Sequence, residues 1–282
     1  MSTNWNGGYI EWTDGGTAYL SVVFSWQLQK AYQRAAWYTA QGYHVRAGGP
    51  AVAFQPTFLT NVAEVGGDVH ALHFHNANAT FTSRGCIRHC PFCIVPKIEG
   101  NLVELDNWEP KPIVCDNNLL ACSKPHFDQV IDRLKPLSNI DFNQGLDARL
   151  LTDYHAQRIA ELDLHLVRLA WDDIHLESHF TTAYERLRKA SIPKSKIRVY
   201  VLIGFNDTPA DALYRLQTIR KLGISPNPMR YQPLNATQRN EYVAPGWTDR
   251  QLKQFTRYWS RQRWFAAIPF EEYQRGPAHA KA

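Results

Sequence analysis

Between Thr17 and Leu234 the chain alternates short runs of β-branched and aromatic residues with longer stretches of helical composition. Thr17-Ala-Tyr-Leu-Ser-Val-Val-Phe24 reads as a strand and Gln27 to Gln41 as a helix. Tyr43 to Arg46 reads as a second strand, which Gly48-Gly49-Pro50 terminates. This is one βαβ unit, too short for a complete dinucleotide-binding domain. From Ala51 to His75 the pattern is interrupted by Pro56, Gly66 and Gly67, which predicts an irregular bridge. Within it, His70, His73 and His75 are spaced so that two or three of them would share one face of a strand.

From Ala79 the alternation becomes regular. Strands are predicted at Thr80 to Ser83, Pro112 to Cys115, Ile140 to Asn143, Leu166 to Ala170, Ile197 to Ile203 and Pro228 to Gln232. Helices are predicted at Pro125 to Leu134, Asp153 to Leu162, Glu177 to Ala190 and Pro209 to Leu222. Six strands alternating with helices imply a parallel sheet with its site at the carboxyl ends of the strands, whereas a full barrel needs about eight. The expected fold is therefore α/β: a partial parallel (β/α)6 barrel over residues 76–235, a small βαβ cap over 1–75 and a helical extension over 236–282. The extension carries one helix, Thr248 to Phe265. Arg250, Lys253, Arg257 and Arg261 fall on one face of it and Leu252, Phe255 and Trp259 on the other.

Composition narrows the class. Over 282 residues, 44% hydrophobic and 20% charged positions are ordinary for a globular protein, which excludes wholesale disorder, collagen-like and coiled-coil chains. No apolar run nears the ~20 residues of a membrane span, and Met1-Ser-Thr-Asn-Trp-Asn-Gly-Gly lacks the basic and apolar regions of a signal peptide, so a cytoplasmic protein with no membrane association is expected. A formal charge of +5 permits a nucleic-acid partner without demanding one. Three of the five cysteines crowd into eight residues, a spacing that suits a metal better than a disulfide framework.

Those three belong to Thr82-Ser-Arg-Gly-Cys86-Ile-Arg-His-Cys90-Pro-Phe-Cys93, a C-x3-C-x2-C spacing directly after the first predicted strand of the regular series. Three thiolates on one loop can hold three corners of a 4Fe-4S cluster and leave the fourth iron without a protein ligand. A zinc site is the other reading, with His89 or His126 as fourth ligand, or with Cys115 and Cys122 as a second pair. Otherwise Cys115 and Cys122 are small buried residues, the common fate of a free thiol.

On a six-strand βα frame, the cysteine segment resembles the radical S-adenosylmethionine superfamily, from about Ala79 to Leu234. That resemblance implies a 4Fe-4S cluster on Cys86, Cys90 and Cys93, with S-adenosylmethionine bound at the open iron. It implies an enzyme that, supplied by a reducing electron donor, cleaves the sulfonium to give a 5′-deoxyadenosyl radical for hydrogen abstraction. Phe92 then resembles the position whose main chain meets the adenine. Asp116-Asn117-Asn118 stands where relatives present polar groups to the cofactor's amino group, but it departs from the usual Gly-Gly-Glu and looks more like the pattern of cobalamin-carrying relatives. Asn143, Gln144, Asp147 and Arg149 follow the third strand and offer groups for ribose hydroxyls and a carboxylate. Gly204 resembles the family's strand-ending glycine beside the adenine. The residues alone also allow a turn at Asp116 to Asn118, a helix cap at Asp147 and a plain strand end at Gly204.

The flanks bear on the substrate. The first βαβ unit looks like a remnant of a cobalamin-binding domain, but no Asp-x-His-x-x-Gly motif offers an axial histidine, which disfavours cobalamin. Asp172, after the fourth strand, is a candidate for cofactor or substrate contact or for a helix cap. Arg230, on the last strand, is a candidate for an anionic substrate group or an ordinary salt bridge. The basic ridge of the tail helix can dock phosphates, and Tyr258 and Trp264 can stack bases or simply pack. A nucleic-acid base or nucleotide-derived group is the leading substrate class, a peptide or small metabolite the second. A zinc-stabilised nucleic-acid-binding module is the non-enzymatic alternative.

Overall fold

A computed structural model describes residues 5–67, 69–261 and 267–275. By internal contacts the chain divides into two compact units, one of residues 1–113 with 232–241, the other of 114–231 with 242–282.

The first unit holds a four-stranded sheet in the order β1-β2-β3-β4, built from β1 (Tyr9–Asp14), β2 (Thr17–Val22), β3 (His44–Gly48) and β4 (Glu64–Val65). β2 and β3 are parallel and joined by helix α1 (Leu28–Ala40), as the pattern predicts. β1 is not in that reading. It forms an antiparallel hairpin with β2 through Gly15 and Gly16, whose φ angles of 52° and 85° are those a two-residue hairpin turn requires. Ala18, Leu20 and Val22 of β2 and Ala31 and Ala35 of α1 are fully buried against one another, and this small apolar layer holds the unit together.

The expected bridge is more ordered than its composition implies. It contains the short helices α2 (Pro50–Phe54) and α3 (Leu72–His75) as well as β4. The three histidines therefore do not line a strand. His73 and His75 lie within one helical turn, His70 precedes it at a φ of 50°, and only His75 is buried.

A six-stranded parallel sheet, in the order β12-β11-β10-β9-β8-β5, carries the regular part of the chain. Its strands are β5 (Ala79–Thr80), β8 (Ile113–Val114), β9 (Ile140–Leu146), β10 (Leu164–Ala170), β11 (Ile197–Ile203) and β12 (Ser225–Arg230). These are the six strands of the periodicity, in the predicted sequence. Two predictions need correction: the last strand is Ser225–Arg230 rather than Pro228 to Gln232, and Thr80 to Ser83 is not a single strand. β5 ends at Thr80, and Ser83 and Arg84 form β6, which pairs antiparallel with β7 (Val103–Glu104).

The second unit's α-helices among the described residues are α5 (Lys124–Leu134), α6 (Asp153–Ala160), α7 (Glu177–Lys189), α8 (Pro209–Lys221), α9 (Asp249–Trp259) and a short one at Phe270–Arg275. Thr152, Thr208 and Thr248 open α6, α8 and α9 with reciprocal capping boxes, so these helix starts are fixed by local hydrogen bonds. Along β11 the alternation is strict. Ile197, Val199, Val201 and Ile203 are buried, while Arg198, Tyr200 and Leu202 on the other face are only partly so. The tail helix ends at Trp259, and the rest of its predicted length falls in 262–265, outside the described residues. No described helix is long and apolar enough to cross a membrane.

Candidate functional site

The cysteine segment is a loop closed at its base. β6 and β7 pair beneath it, and the Cys86 amide donates to the Gly100 carbonyl at 3.2 Å. Gly85, at a φ of 71°, passes so close to the opposite side of the neck that a Cβ there would lie 2.0 Å from the Asn101 carbonyl oxygen. Any other residue would force the neck open. Glu99 locks the same neck, accepting from the Gly85 amide at 2.8 Å and from Arg84 at 2.7 Å. Sequence reasoning missed Glu99, because nothing in its local pattern marks a carboxylate that reaches back fourteen residues.

Within the loop the Cys93 amide donates to the Cys90 carbonyl at 3.0 Å, which turns the chain between the second and third thiols. The Arg88 amide points at the Cys86 sulfur at 3.3 Å. Burial pushes the Cys93 thiol up, and the nearby Cys90 and Cys86 add to that rise. Among the described residues no three His, Cys, Asp or Glu side chains are arranged to hold a metal ion. The donor set itself, three soft sulfurs carried on one pinned loop, is of the type that iron–sulfur ligation uses. Of the alternative zinc ligands, His89 is exposed on the loop, and His126 is buried in the first turn of α5. Cys115 is buried beside β8, and Cys122 is partly buried.

The second unit brings several sequence-predicted residues together at strand ends. Asp116 and Asn118, just past β8, are buried, and Asn117 between them is partly exposed. The Asn118 amide nitrogen lies 3.5 Å from the Asp147 carboxylate. Asp147, just past β9, is held by Arg149 at 2.6 and 3.0 Å, and also by the Arg149 backbone amide at 3.1 Å. Asp147 is therefore not a helix cap; Thr152 caps α6. Asn143 is half-buried, and its carbonyl accepts from the Tyr200 hydroxyl at 3.0 Å. Gln144 is exposed. Phe92, on the cysteine loop, is partly exposed.

Other candidates have structural roles. Gly204 has a φ of 74°, and a Cβ there would lie 2.7 Å from a Leu252 methyl, so packing against α9 already requires glycine. The Asp172 carboxylate accepts from the Leu202 amide at 3.0 Å and joins the ends of β10 and β11; burial pushes its carboxyl above the ordinary range. Asp173, not Asp172, caps the next turn. Arg230 is no surface salt bridge. Its side chain is 4% exposed and donates to Asp249 at 3.0 Å and to the Tyr242 carbonyl at 2.7 Å.

On α9, Arg250, Lys253 and Arg257 are exposed and Leu252, Phe255 and Trp259 buried, as the spacing predicts; Arg261, also exposed, lies past the end of the helix. Tyr258 is buried too, and its hydroxyl donates to the Ile268 carbonyl at 2.7 Å, so it is a packing residue and no platform for bases. Trp264 lies outside the described residues.

No family model matches this chain, and a search of curated proteins finds no match.

Proposed function

We propose that this chain is a radical S-adenosylmethionine enzyme, its six-stranded sheet curved into a partial barrel, acting on a nucleic-acid base or nucleotide-derived group. The observation that supports it is the pinned loop carrying three cysteines within eight residues and an N–H···S contact, placed after the first strand of a six-stranded parallel sheet. A 4Fe-4S cluster bound there would chelate S-adenosylmethionine at its open iron and supply the electron that cleaves it to methionine and a deoxyadenosyl radical. Cys86, Cys90 and Cys93 would be its ligands, and the Arg88 amide would stabilise charge on the first of them. Asp116, Asn117, Asn118, Asn143, Gln144, Asp147 and Arg149 offer hydrogen-bonding groups to the cofactor's amino acid and ribose portions. Phe92 and Gly204 offer backbone to its adenine. The exposed cationic ridge of α9 supports a phosphate-bearing substrate.

The test is anaerobic reconstitution with iron and sulfide. The protein is expected to take up about four irons, absorb broadly near ~400 nm and cleave S-adenosylmethionine when reduced. Cys90→Ala should lose cluster and cleavage together. Stoichiometric zinc in a colourless protein, or cleavage that survives Cys90→Ala, rejects the proposal. Products from peptides or small metabolites, with none from nucleic acids, would reassign the substrate.

A further inference from the structure

The first unit contains a cavity of about 680 Å³ to which the cysteine chemistry assigns no role. It opens at the carboxyl ends of β2 and β3, where Ser21, Val23 and Gly49 line it. In open parallel sheets this is the edge at which ligands are received. The volume is that of a pocket for a nucleotide-sized molecule.

Its walls divide by chemistry. Val23, Pro50, Val69, Leu105 and Trp108 provide an apolar, partly aromatic surface. Ser21, His75 and Thr80 contribute polar groups and are more than nine-tenths buried. His75 Nδ1 faces the Gly7 carbonyl at 3.2 Å and must donate to it, so Nε2 accepts from the Ser21 hydroxyl at 2.9 Å. Burial lowers the pKa of this ring and keeps it neutral.

The charges are lopsided. Among the described lining residues Glu99 is the sole carboxylate, and Arg84 and the Gly85 amide already occupy it. Lys111 is 20% exposed and meets Glu109 at 3.0 Å, but Glu109 is 75% exposed and lies outside the lining, so water weakens the pair and a ligand anion can replace it. His70 and His73 add exposed imidazoles to the lining. An open-mouthed pocket with an apolar wall and, among its described residues, two cations against one carboxylate fits a flat or apolar body bearing an anionic group.

We propose that this cavity binds a small phosphate-bearing ligand of mononucleotide size, with Lys111 and His73 contacting the phosphate and Trp108 the flat portion. The site lies wholly in the first unit; it shares Arg84 and Glu99 with the neck of the cysteine loop, but none of its proposed ligand contacts is a proposed cluster ligand.

The test is calorimetric titration of the full chain with three probes: adenosine monophosphate, adenosine and inorganic phosphate. The monophosphate is expected to bind saturably and at least about tenfold more tightly than either fragment, because only it uses both walls. Lys111→Met should weaken the monophosphate at least about tenfold, near 1.4 kcal/mol, and leave adenosine unchanged. His73→Gln, an exposed substitution, should weaken it less and in the same direction. Cys90→Ala should bind like the wild type, so loss of the cluster reading leaves this result standing. Absent saturable binding, binding indifferent to both Lys111→Met and His73→Gln, or binding abolished by Asp147→Asn in the second unit would overturn the proposal.

Discussion

Two aspartate–arginine pairs stand near carboxyl ends of strands in the second unit, and the environment gives them different work. Asp207, in the turn between β11 and α8, is bound by Arg215 at 2.5 Å. Arg215 is fully buried and also donates to the Trp171 carbonyl at 2.9 Å, while the Asp207 carboxylate accepts from the Gly204 amide at 2.9 Å. Trp247 closes the arrangement with its indole N–H on the Asp207 carbonyl at 2.9 Å. The Arg215 side chain is 0% exposed and that of Asp207 9%, so the pair is internal scaffolding. Asp147 and Arg149 make an equally close bidentate contact, but Arg149 is 30% exposed and the carboxylate also neighbours Asn118. The first pair fixes the turn after β11; the second is reachable from outside and can exchange partners with a ligand. Chemistry alone does not separate them. Burial does.

The sharpest way to break this comparison is to remove each arginine. Arg215→Met strands a buried carboxylate and should cost about 3–5 kcal/mol in chemical unfolding. Arg149→Met leaves Asp147 its backbone donor and should cost about 1–2 kcal/mol, with most of its effect on S-adenosylmethionine binding in the reconstituted protein. Equal stability losses, with no difference in cofactor affinity, would show that the two pairs do the same job.

Gly204 lies against the buried pair and sharpens the distinction. With a positive φ and a Leu252 methyl where its Cβ would be, Gly204→Ala should destabilise by about 1–3 kcal/mol even without cofactor. If the glycine serves only an adenine contact, the substitution would leave the apoprotein's unfolding midpoint in place and weaken only cofactor binding.

The legible parts of this molecule were those in which one local rule dominates. The strands of the large sheet and the helices between them follow from periodicity, and β11 occupies the predicted Ile197 to Ile203. β1 was missed although its signal was present: Tyr9 to Thr13 lead into Asp14-Gly15-Gly16, a hairpin turn in composition. The break between Thr80 and Ser83 was not readable, because it depends on β7 arriving some twenty residues later to pair with Ser83 and Arg84. His73 and His75 fit a strand period in sequence, but a helical turn won through contacts from afar, the Ser21 hydroxyl and Gly7 carbonyl on His75 and the Asn6 side-chain amide on the Phe74 carbonyl. At the strand ends the sequence showed polar residues but not their burial, so Asp172 and Arg230 looked available when both are engaged.

The Ser21–His75 pair carries the same contrast into the first unit, with a smaller effect. His75 is neutral when folded: its Nδ1–H is given to Gly7, its Nε2 receives the Ser21 hydroxyl, and burial lowers its pKa below the ordinary histidine value. In the unfolded chain it titrates near ~6.5, so as pH falls below that value the unfolded state takes up a proton that the folded state refuses. Stability contributed by this group is therefore complete above ~6.5 and is lost on acidification until the folded pKa is reached. The thermal midpoint should fall between about pH 7 and pH 5, and His75→Gln should have a lower midpoint at pH 7 but a shallower fall. A variant whose midpoint follows pH in parallel with the wild type would place the acid sensitivity elsewhere, and Ser21 and His75 would then be held together by packing, whatever the protonation of the ring.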